Sequence, residues 1–263
     1  MIIIKSERDL EAMRAACQVA AQVLDETAAM VQPGITTREL DEFAAECIRK
    51  LGARSAFLGY RAGGKKYPCH TCISVNEQVV HGLASGRRLV FGDLVSIDVG
   101  VFYHGFVGDN ARTVPVGGGD LAAQKLLDVT ETALYRAIAQ AIPGNRVVDI
   151  SRAVQQHVES NGFSVVREFV GHGVGRHMHE EPQVPNFVEP GRPSPRLRPG
   201  MTIAIEPMVN AGRAEVRRLN DGWTVVTADG QLSAHFEHTV LVSESGPEIL
   251  TCTSKTLFAP KGS

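Results

Sequence analysis

The stretch D-L-V-S-I-D-V-G-V-F-Y-H-G-F-V-G-D-N-A-R-T-V, residues 93–114, decides how the rest of the chain folds. It predicts one strand from Leu94 to Tyr103, a tight turn at His104-Gly105, and a returning strand from Phe106 to Val114. Side chains alternate between the two faces of a strand. Asp98 therefore lies on the face opposite its apolar neighbours, in the middle of a hydrophobic strand.

Asp98 and Asp109 lie on the two strands of this hairpin, which can bring their carboxylates close together. Burial of two adjacent negative charges is costly unless a cation lies between them. The pattern therefore indicates a divalent metal site. The alternative is two aspartates that point into solvent, a common arrangement on an ordinary hairpin.

Composition narrows the class of protein. The 263 residues are 43% hydrophobic and 21% charged, an ordinary globular profile with enough apolar material for a substantial core. The net charge of −2 gives no reason to expect a nucleic acid or an anionic membrane as partner. No apolar run approaches the roughly 18 residues of a membrane helix, and Ile2 to Ile4 is too short for a secretory signal.

The cysteines predict a reducing compartment. There are five, widely scattered, which favours free thiols in a cytoplasmic protein. Cys69 and Cys72 have C-x-x-C spacing. The strand-to-helix setting of a redox motif and the second ligand pair of a zinc site are both missing. A packing role for Cys72 is favoured over either alternative.

A repeated helical pattern predicts two related halves. A long helix from Ser6 to Val31 is followed by a Pro-Gly pair and by an amphipathic helix that begins with a Thr36–Glu39 capping box and stops at Gly52. A second long helix, from Asp120 to Ile142, is followed by the same pair and by another amphipathic helix that stops at Gly162.

The two runs recur about 110 residues apart, and near the same offset Ile97-Asp98 has a counterpart in Ile205-Glu206. This spacing is too long for a solenoid and indicates two α/β half-units packed around a shared sheet. The alternative is a chance match between two common helix pairs.

Strand-rich sequence follows each helix pair. The predicted strands are Cys72 to Val80, Gly162 to Val170, Met201 to Val209, Trp223 to Thr227 and Ala234 to Val242. Proline is excluded from helix interiors and central strands, so the proline-rich stretch from Pro182 to Pro199 predicts an ordered loop. The tail after Cys252 has no periodicity and is predicted to fray.

Polar residues in apolar surroundings extend the metal hypothesis. Glu206 and Glu237 lie in hydrophobic runs, and His172 lies between two glycines that allow close backbone approach. Together with Asp98 and Asp109 they provide one imidazole and four carboxylates. This oxygen-rich set suits a pair of divalent ions better than a closed structural zinc site. The residues thus predict a dinuclear metallohydrolase.

Further histidines could serve that chemistry. His81, His177 and His179 are candidates for donating a hydrogen bond to a substrate carbonyl or for moving a proton to a leaving amine. The alternative for each is a structural role. His235 and His238 flank Glu237, and sequence spacing does not choose among these histidines.

Seven segments resemble the signatures of type I methionine aminopeptidases. They are V-N-E-Q-V-V-H-G (75–82), S-I-D-V (96–99), G-D-N-A (108–111), G-H-G-V-G-R (171–176), H-E-E-P-Q-V (179–184), G-M-T-I-A-I-E-P-M (200–208) and F-E-H-T-V (236–240). The resemblance extends from about residue 3 to residue 251. It implies an α/β pita-bread fold, in which two pseudo-symmetric α/β halves surround a central curved antiparallel sheet. One catalytic domain would span 1–263, with half-units at about 1–118 and 119–252 and a tail at 253–263.

The resemblance also implies a metal ligand set for two divalent ions, which would be cobalt, manganese, iron or zinc. Asp98 would bind one ion, and His172 and Glu206 would bind the other. Asp109 and Glu237 would bridge the two. Ligand type alone does not identify the physiological metal. A separate sodium or potassium site would lie near Asn76, Gln78 and Ser233.

The implied reaction is removal of the initiator methionine from new chains when the second residue is small. A bridging hydroxide would attack the carbonyl, with Glu206 as proton acceptor. His179 would contact the substrate and stabilise the intermediate, and His81 would lie beside the leaving amine. The pocket for the methionine side chain would be formed by Tyr60, Tyr67, Cys72, His81, Met178 and Trp223, since a flexible thioether suits an apolar aromatic pocket.

The expected partners are N-terminal methionyl peptides and nascent chains at the ribosome, with no nucleic acid or membrane. The protein would be a cytoplasmic monomer. Phe57, His177, Met178 and His235 depart from residues common in the family, so the tolerance for the second residue is not defined by the resemblance. Two alternatives have the same fold. One is a proline dipeptidase, which usually has an extra N-terminal domain, and the other is a peptide- or ribosome-binding protein that lacks the metal ligands.

Overall fold

Helices and strands follow each other in two similar runs along residues 1–253, the part of the chain that the computed structural model describes. The tail was predicted to fray, and its residues from 254 onward lie outside the described range. The helices are α1 (Glu7–Ala29), α2 (Thr37–Lys50), α3 (Leu121–Ile138) and α4 (Val147–Ser160). The strands are β1 (Arg54–Ser55), β2 (Arg61–Ala62), β3 (Lys65–Lys66), β4 (Cys72–Val75), β5 (Gln78–Val80), β6 (Leu94–Tyr103), β7 (Phe106–Pro115), β8 (Ser164–Val165), β9 (Gly171–Gly173), β10 (Glu180–Val184), β11 (Thr202–Ile205), β12 (Met208–Asn210), β13 (Val216–Arg218), β14 (Val225–Thr227), β15 (Ser233–His235), β16 (Glu237–Ser243) and β17 (Gly246–Ile249).

Local sequence explains where the first two helices begin and end. Ser6 and Asp9 form a capping box at the start of α1, and Thr36 and Glu39 form the same arrangement at the start of α2. Each box satisfies backbone N–H groups that have no partner inside the helix. Gly52 follows the end of α2 with φ +71°, a left-handed conformation that glycine adopts without steric cost.

The contacts that hold each helix pair recur in the second half. The Gly34 N–H donates to the Leu89 carbonyl at 2.8 Å, and 110 residues later the Gly144 N–H donates to the Leu197 carbonyl at 3.2 Å. The two glycines have φ of +95° and +93°. Leu89 and Leu197 are both fully buried. This repetition confirms the prediction of two pseudo-symmetric α/β halves.

A large antiparallel sheet joins the halves. Within residues 1–253 it contains nine strands, and its main path runs β1-β6-β7-β16-β11-β9-β10, with β4 paired to β6 and β17 paired to β16. Apolar side chains of α1 and α2 pack on one part of this sheet, including Val95, Ile97 and Val99 of β6. Those of α3 and α4 pack on the same face further along, against Ile203 and Val240. The opposite face is left for the polar side chains.

Two predicted strands break at the edge of this sheet. The segment Met201 to Val209 is not one strand, because β11 ends before Glu206 and β12 joins a smaller sheet with β15 and β8. Ala234 to Val242 is likewise divided at Phe236, where the chain returns from the smaller sheet to β16. The single-strand predictions were wrong because alternation of polarity does not reveal a change of sheet.

The first-half segment Cys72 to Val80 is also divided. It turns at Asn76, which has φ +58°, and β5 then pairs with β14 in a three-stranded sheet. Of the predicted strand from Trp223 to Thr227, only β14 (Val225–Thr227) is a strand. Of the predicted strand from Gly162 to Val170, only the two residues of β8 are a strand.

The proline-rich stretch is not loop throughout. Pro182 lies inside β10, an edge strand, at a shift of register between Glu180 and Gln183. Proline is tolerated at such a place because no partner strand needs its missing N–H. In residues 1–253, no helix is both long enough and apolar enough to cross a membrane.

Candidate metal centre

Strand register places Asp98 and Glu237 in one row across the sheet. Ala111 of β7 pairs with Asp98 of β6 on one side and with Glu237 of β16 on the other. Residues paired directly across a sheet point to the same face. Both carboxylates therefore point away from α1, α2, α3 and α4, since Ile97 and Val99 beside Asp98 pack toward the helices.

Asp109 and His172 lie in the adjacent row. Asp109 pairs with Gly100 of β6, and its carbonyl accepts a hydrogen bond of 2.8 Å from the Thr239 hydroxyl of β16. Thr239 pairs with Ala204 of β11, which in turn pairs with His172 of β9. Two neighbouring rows thus bring together side chains from strands that are far apart in sequence.

The two glutamates lie where the chain passes between sheets. Glu206 follows the last residue of β11, and Glu237 is the first residue of β16. Ile205 pairs with His238, so these two crossing points are neighbours. The sequence interpretation of Glu206 as a residue inside a strand was therefore wrong. At this change of sheet the Glu206 carbonyl accepts a hydrogen bond of 2.9 Å from the Asn186 side-chain amide, and the Glu206 carboxylate lies toward His172, with Oε1 3.5 Å from Nε2.

The glycines around His172 are required by close backbone contacts. A Cβ atom on Gly171 would lie 2.4 Å from the Ala204 carbonyl oxygen, and one on Gly173 would lie 2.3 Å from the Glu181 carbonyl oxygen. Real Cβ atoms do not approach oxygen so closely. The Gly-His-Gly sequence therefore allows β9 to sit between β10 and β11 and fixes the position of the imidazole.

The side chains converge to distances that suit metal ligation. One ligand atom each from Asp109, His172 and Glu237 lie within 4.8 Å of one another, and all three residues are buried. His172 Nε2 lies 3.5 Å from Glu206 Oε1 and 3.7 Å from Asp109 Oδ2. His172 Nδ1 is 2.9 Å from the Gly173 carbonyl oxygen. A carbonyl only accepts, so Nδ1 carries the proton and Nε2 offers its lone pair to the cluster.

The cluster has unpaired buried oxygens. Asp98 Oδ1, Asp109 Oδ1 and Glu237 Oε1 have no hydrogen-bond partner among residues 1–253. Buried polar atoms in proteins are almost always paired. Three orphaned carboxylate oxygens in one place, together with an oxygen-rich donor set, fit a site for divalent cations.

Burial changes the protonation of these groups. It raises the pKa of Asp98 to about 7. Burial, with repulsion from neighbouring carboxylates, raises the pKa values of Asp109, Glu206 and Glu237 well above their usual range. Burial lowers the pKa of His172 to about 3, so its imidazole is neutral. Positive charge is needed to keep four such carboxylates ionised at neutral pH.

The twelve residues predicted as divalent-metal ligands, catalytic groups or methionine pocket all line one cavity of about 260 Å³, whereas the predicted cation-site residues Asn76, Gln78 and Ser233 do not. Its apolar part contains Phe57, Tyr67, Met178 and Trp223, which are each at most 9% exposed. The rings of Tyr67 and Trp223 meet edge to face with centroids 5.1 Å apart. The remaining predicted residues of this part are Tyr60, Cys72 and His81.

Two histidines border the carboxylate cluster. The ring of His179 lies 4.3 Å from that of His172, and its Nδ1 is 2.9 Å from the Tyr60 hydroxyl. His81 packs edge to face on Phe169 at 5.3 Å, and burial lowers its pKa to about 4. His177 and His238 do not line this cavity, and residues 175–179 form a series of bends.

Sequence reasoning missed several lining residues. Val80, Phe169, Val170, Met208 and Arg218 also face the cavity. Val80 and Met208 lie inside the quoted segments but were given no role, and the other three lie outside those segments. Hydrophobic periodicity does not distinguish any of them from ordinary core or surface residues. His235, noted as a neighbour of Glu237 and as a departure from the family but given no role, has Nε2 3.7 Å from Glu206 Oε2 and lies inside the cavity.

Comparison with known proteins supports a peptidase fold. Residues 11–244 match the sequence profile of metallopeptidase family M24. The chain is 52% identical to the methionine aminopeptidase of Clostridium perfringens, over 95% of this chain and 99% of that protein. It superposes on the crystal structure of a methionine aminopeptidase from Thermotoga maritima with a TM-score of 0.91, at 46% identity over 96% of this chain and 100% of that one. A prolidase from Pyrococcus furiosus gives 0.77 at 26% identity, over 96% of this chain and 66% of that one.

Proposed function

The chain belongs to metallopeptidase family M24, and on this premise we propose that it is a methionine aminopeptidase that removes the N-terminal methionine from peptides and nascent chains. The observation that supports this most is the convergence of Asp98, Asp109, His172, Glu206 and Glu237 on one face of the sheet, beside an apolar cavity. Membership of the family implies divalent metal binding, and the enzyme is a hydrolase.

Asp98 would hold one of two divalent ions, His172 and Glu206 would hold the other, and Asp109 and Glu237 would contact both. When bound, such ions acidify a water molecule and polarise the carbonyl of the scissile bond. The candidate metals are cobalt, manganese, iron and zinc, all of which accept carboxylate and imidazole ligands.

The remaining steps belong to side chains of this protein. The Glu206 carboxylate accepts the proton of the attacking water. His179 donates a hydrogen bond to the substrate carbonyl, and the Tyr60 hydroxyl at 2.9 Å from its Nδ1 orients the ring. His81, whose lowered pKa keeps it neutral at pH 7, lies beside the leaving amine and acts as a relay. One ring nitrogen takes up the proton that Glu206 accepted as the other nitrogen gives its N–H proton to the amine.

The apolar part of the cavity accommodates the methionine side chain. Phe57 and Met178 lie directly over Gly100, since a Cβ atom there would be 2.8 Å and 2.9 Å from them. Gly100 is two residues after Asp98 on the same face, so the thioether would reach this pocket while the amide lies at the carboxylates. Phe57 and Met178 narrow the pocket around a linear side chain, which favours methionine over β-branched residues.

Further features of the proposal concern the setting of the enzyme. A sodium or potassium ion would bind near Asn76, Gln78 and Ser233, where the Ser233 N–H already donates to the Asn76 carbonyl at 2.9 Å. The protein would act as a cytoplasmic monomer on nascent chains at the ribosome. Cys17, Cys47, Cys69 and Cys72 are buried free thiols, which supports a reducing compartment.

A proline dipeptidase of the same fold is not favoured, because the prolidase comparison covers only 66% of that chain at 26% identity. Peptides that begin Met-Gly and peptides that contain Xaa-Pro, incubated with purified protein with and without a chelator, test the choice. We expect methionine release from Met-Gly peptides that stops when metal is removed. Release of the residue before proline without any release of methionine would overturn the proposed function.

A further inference from the structure

The mouth of the cavity contains a positive charge that the proposed reaction does not use. Four of the lining residues are exposed to solvent, namely Tyr60, Ala62, His179 and Arg218. Arg218 is the only lysine or arginine among the lining residues of residues 1–253. A peptide whose methionine occupies the apolar part must leave through this mouth, so its next residues pass Arg218.

Strand register fixes the direction in which Arg218 points. Arg218 of β13 pairs with Val225 of β14, and Val225 pairs with Val80 of β5. Residues paired across a sheet share one face, and Val80 also lines the cavity. Arg217 lies on the opposite face of the same strand, and it pairs with Val226 and does not line the cavity.

The Arg218 guanidinium has no acidic partner in the described part of the chain, where it forms neither an ion pair nor a side-chain hydrogen bond. It lies close enough to His81 for its charge to contribute to the lowered pKa of that imidazole. A guanidinium forms paired hydrogen bonds with a carboxylate, and this one is free to do so.

We propose that Arg218 selects substrates with an acidic side chain at the third or fourth position, just after the small second residue. The inference rests on the proposed function, because the proposed position of the methionine side chain in the apolar part sets the direction in which the rest of the peptide leaves the cavity. His81 lies beside the amine of the second residue, and Arg218 is the next charged group outward. The ligand recognised is therefore a glutamate or aspartate side chain of the leaving peptide.

Amidated peptides Met-Gly-Xaa-Ala-Gly and Met-Gly-Ala-Xaa-Gly, with Xaa as Glu, Gln or Lys, test this directly. The amide removes the terminal carboxylate, so only the side chain differs in charge. We expect the wild-type kcat/KM to be about two- to fivefold higher for Glu than for Lys at one of the two positions, the range of an exposed ion pair. The ratio should decrease as salt is added, because the pair is screened.

Variants separate this effect from a general change in the protein. R218A should bring the Glu-to-Lys ratio to about 1, and R218E should invert it, whereas the matched control R217A should keep the wild-type ratio. An unchanged ratio in R218A, or an equal change in R217A, would overturn the inference. Failure to release methionine from every peptide, the Gln peptides included, would instead overturn the proposed function.

Discussion

The carboxylates of the site oppose folding of the metal-free protein. Burial raises the pKa of Asp98 to about 7, and the pKa values of Asp109, Glu206 and Glu237 are also well above their usual range. Ionising these groups at neutral pH places like charges in a region of low dielectric. Each one therefore destabilises the fold unless a cation balances it.

The pH dependence of stability follows from these shifts. The raised carboxyl pKa values lower stability as pH increases, because the folded state then holds more protons than the unfolded chain. The lowered pKa values of His172 and His235, about 3 each, act in the opposite direction, but only up to the unfolded histidine value of 6.5. Above pH 6.5 the carboxylates dominate, and the buried thiols, whose pKa values are also raised, act in the same direction as pH approaches the ordinary cysteine value of 9.0.

We expect metal-free protein to lose stability between pH 6.5 and 8.5, by up to about 1.4 kcal/mol per pH unit for each proton released. Urea unfolding in the presence of a chelator measures this, and saturating metal should remove most of the slope. Metal-free stability that does not change with pH in this window would contradict the proposed electrostatics.

Substitution of the Glu237 carboxylate should have opposite effects on metal-free stability and on metal-dependent activity. Glu237→Gln removes a buried carboxylate whose Oε1 has no hydrogen-bond partner in the described part of the chain, so the metal-free variant should be more stable than metal-free wild type at pH 8, by about 1–3 kcal/mol. The same variant should lose metal-dependent activity. Thermal unfolding with a chelator and a methionine-release assay measure the two effects.

Glu248 provides the matched control. It lies in β17 and is paired with Arg14 at 2.7 Å, with about 40% of each side chain exposed. Glu248→Gln should lower stability by less than about 1 kcal/mol and leave activity unchanged, because exposed ion pairs contribute little. Destabilisation by Glu237→Gln in metal-free protein would argue against repulsion in the cluster.

At the scale of elements, β9 depends on its glycines. Gly173→Ala places a Cβ atom 2.3 Å from the Glu181 carbonyl oxygen, which forces β9 and β10 apart and moves His172. We expect a loss of about 2 kcal/mol or more in stability and a weaker affinity for metal. Gly86→Ala is the control, since nothing lies within 4 Å of the new atom. Isothermal titration with Mn²⁺ and chemical denaturation would show the difference, and normal metal affinity in Gly173→Ala would rule out this role.

The elements also show what sequence could predict. The hairpin of β6 and β7, the capping boxes and the Gly-His-Gly contact follow from local rules of alternation, capping and glycine geometry, and the structure agrees with them. Where the chain changes sheet, local rules fail. The breaks at Glu206 and Phe236 depend on which distant strand lies alongside, and polarity alternation continues through both.

The same limit applies to the candidate site. Asp98 and His172 stand out because a charged or polar side chain interrupts an apolar or glycine-rich segment. Arg218 is an ordinary exposed arginine in sequence, and only the pairing of β13, β14 and β5 places it at the cavity. Residues that act through tertiary position alone leave no local pattern to detect.

For the whole molecule, the site lies between the two halves. Asp98 and Asp109 come from the first helix–sheet unit, whereas His172, Glu206 and Glu237 come from the second. Metal binding should therefore stabilise the joined molecule, by about 2.7 kcal/mol at a free metal concentration of 100 times the Kd. Calorimetry should show one cooperative transition that moves to higher temperature with metal. Two separate transitions would contradict the single catalytic domain proposed for residues 1–263.

The most direct measurement is the number of divalent ions bound per chain, determined together with methionine release as metal-free protein is titrated with Mn²⁺. Wild type should bind up to two ions and gain activity as they bind. Asp98→Asn should lose an ion and at least about 100-fold in rate, whereas His179→Ala should keep both ions and lose rate alone. Full activity in chelated wild type, or unchanged metal binding and activity in Asp98→Asn, would contradict a metal centre built from these residues.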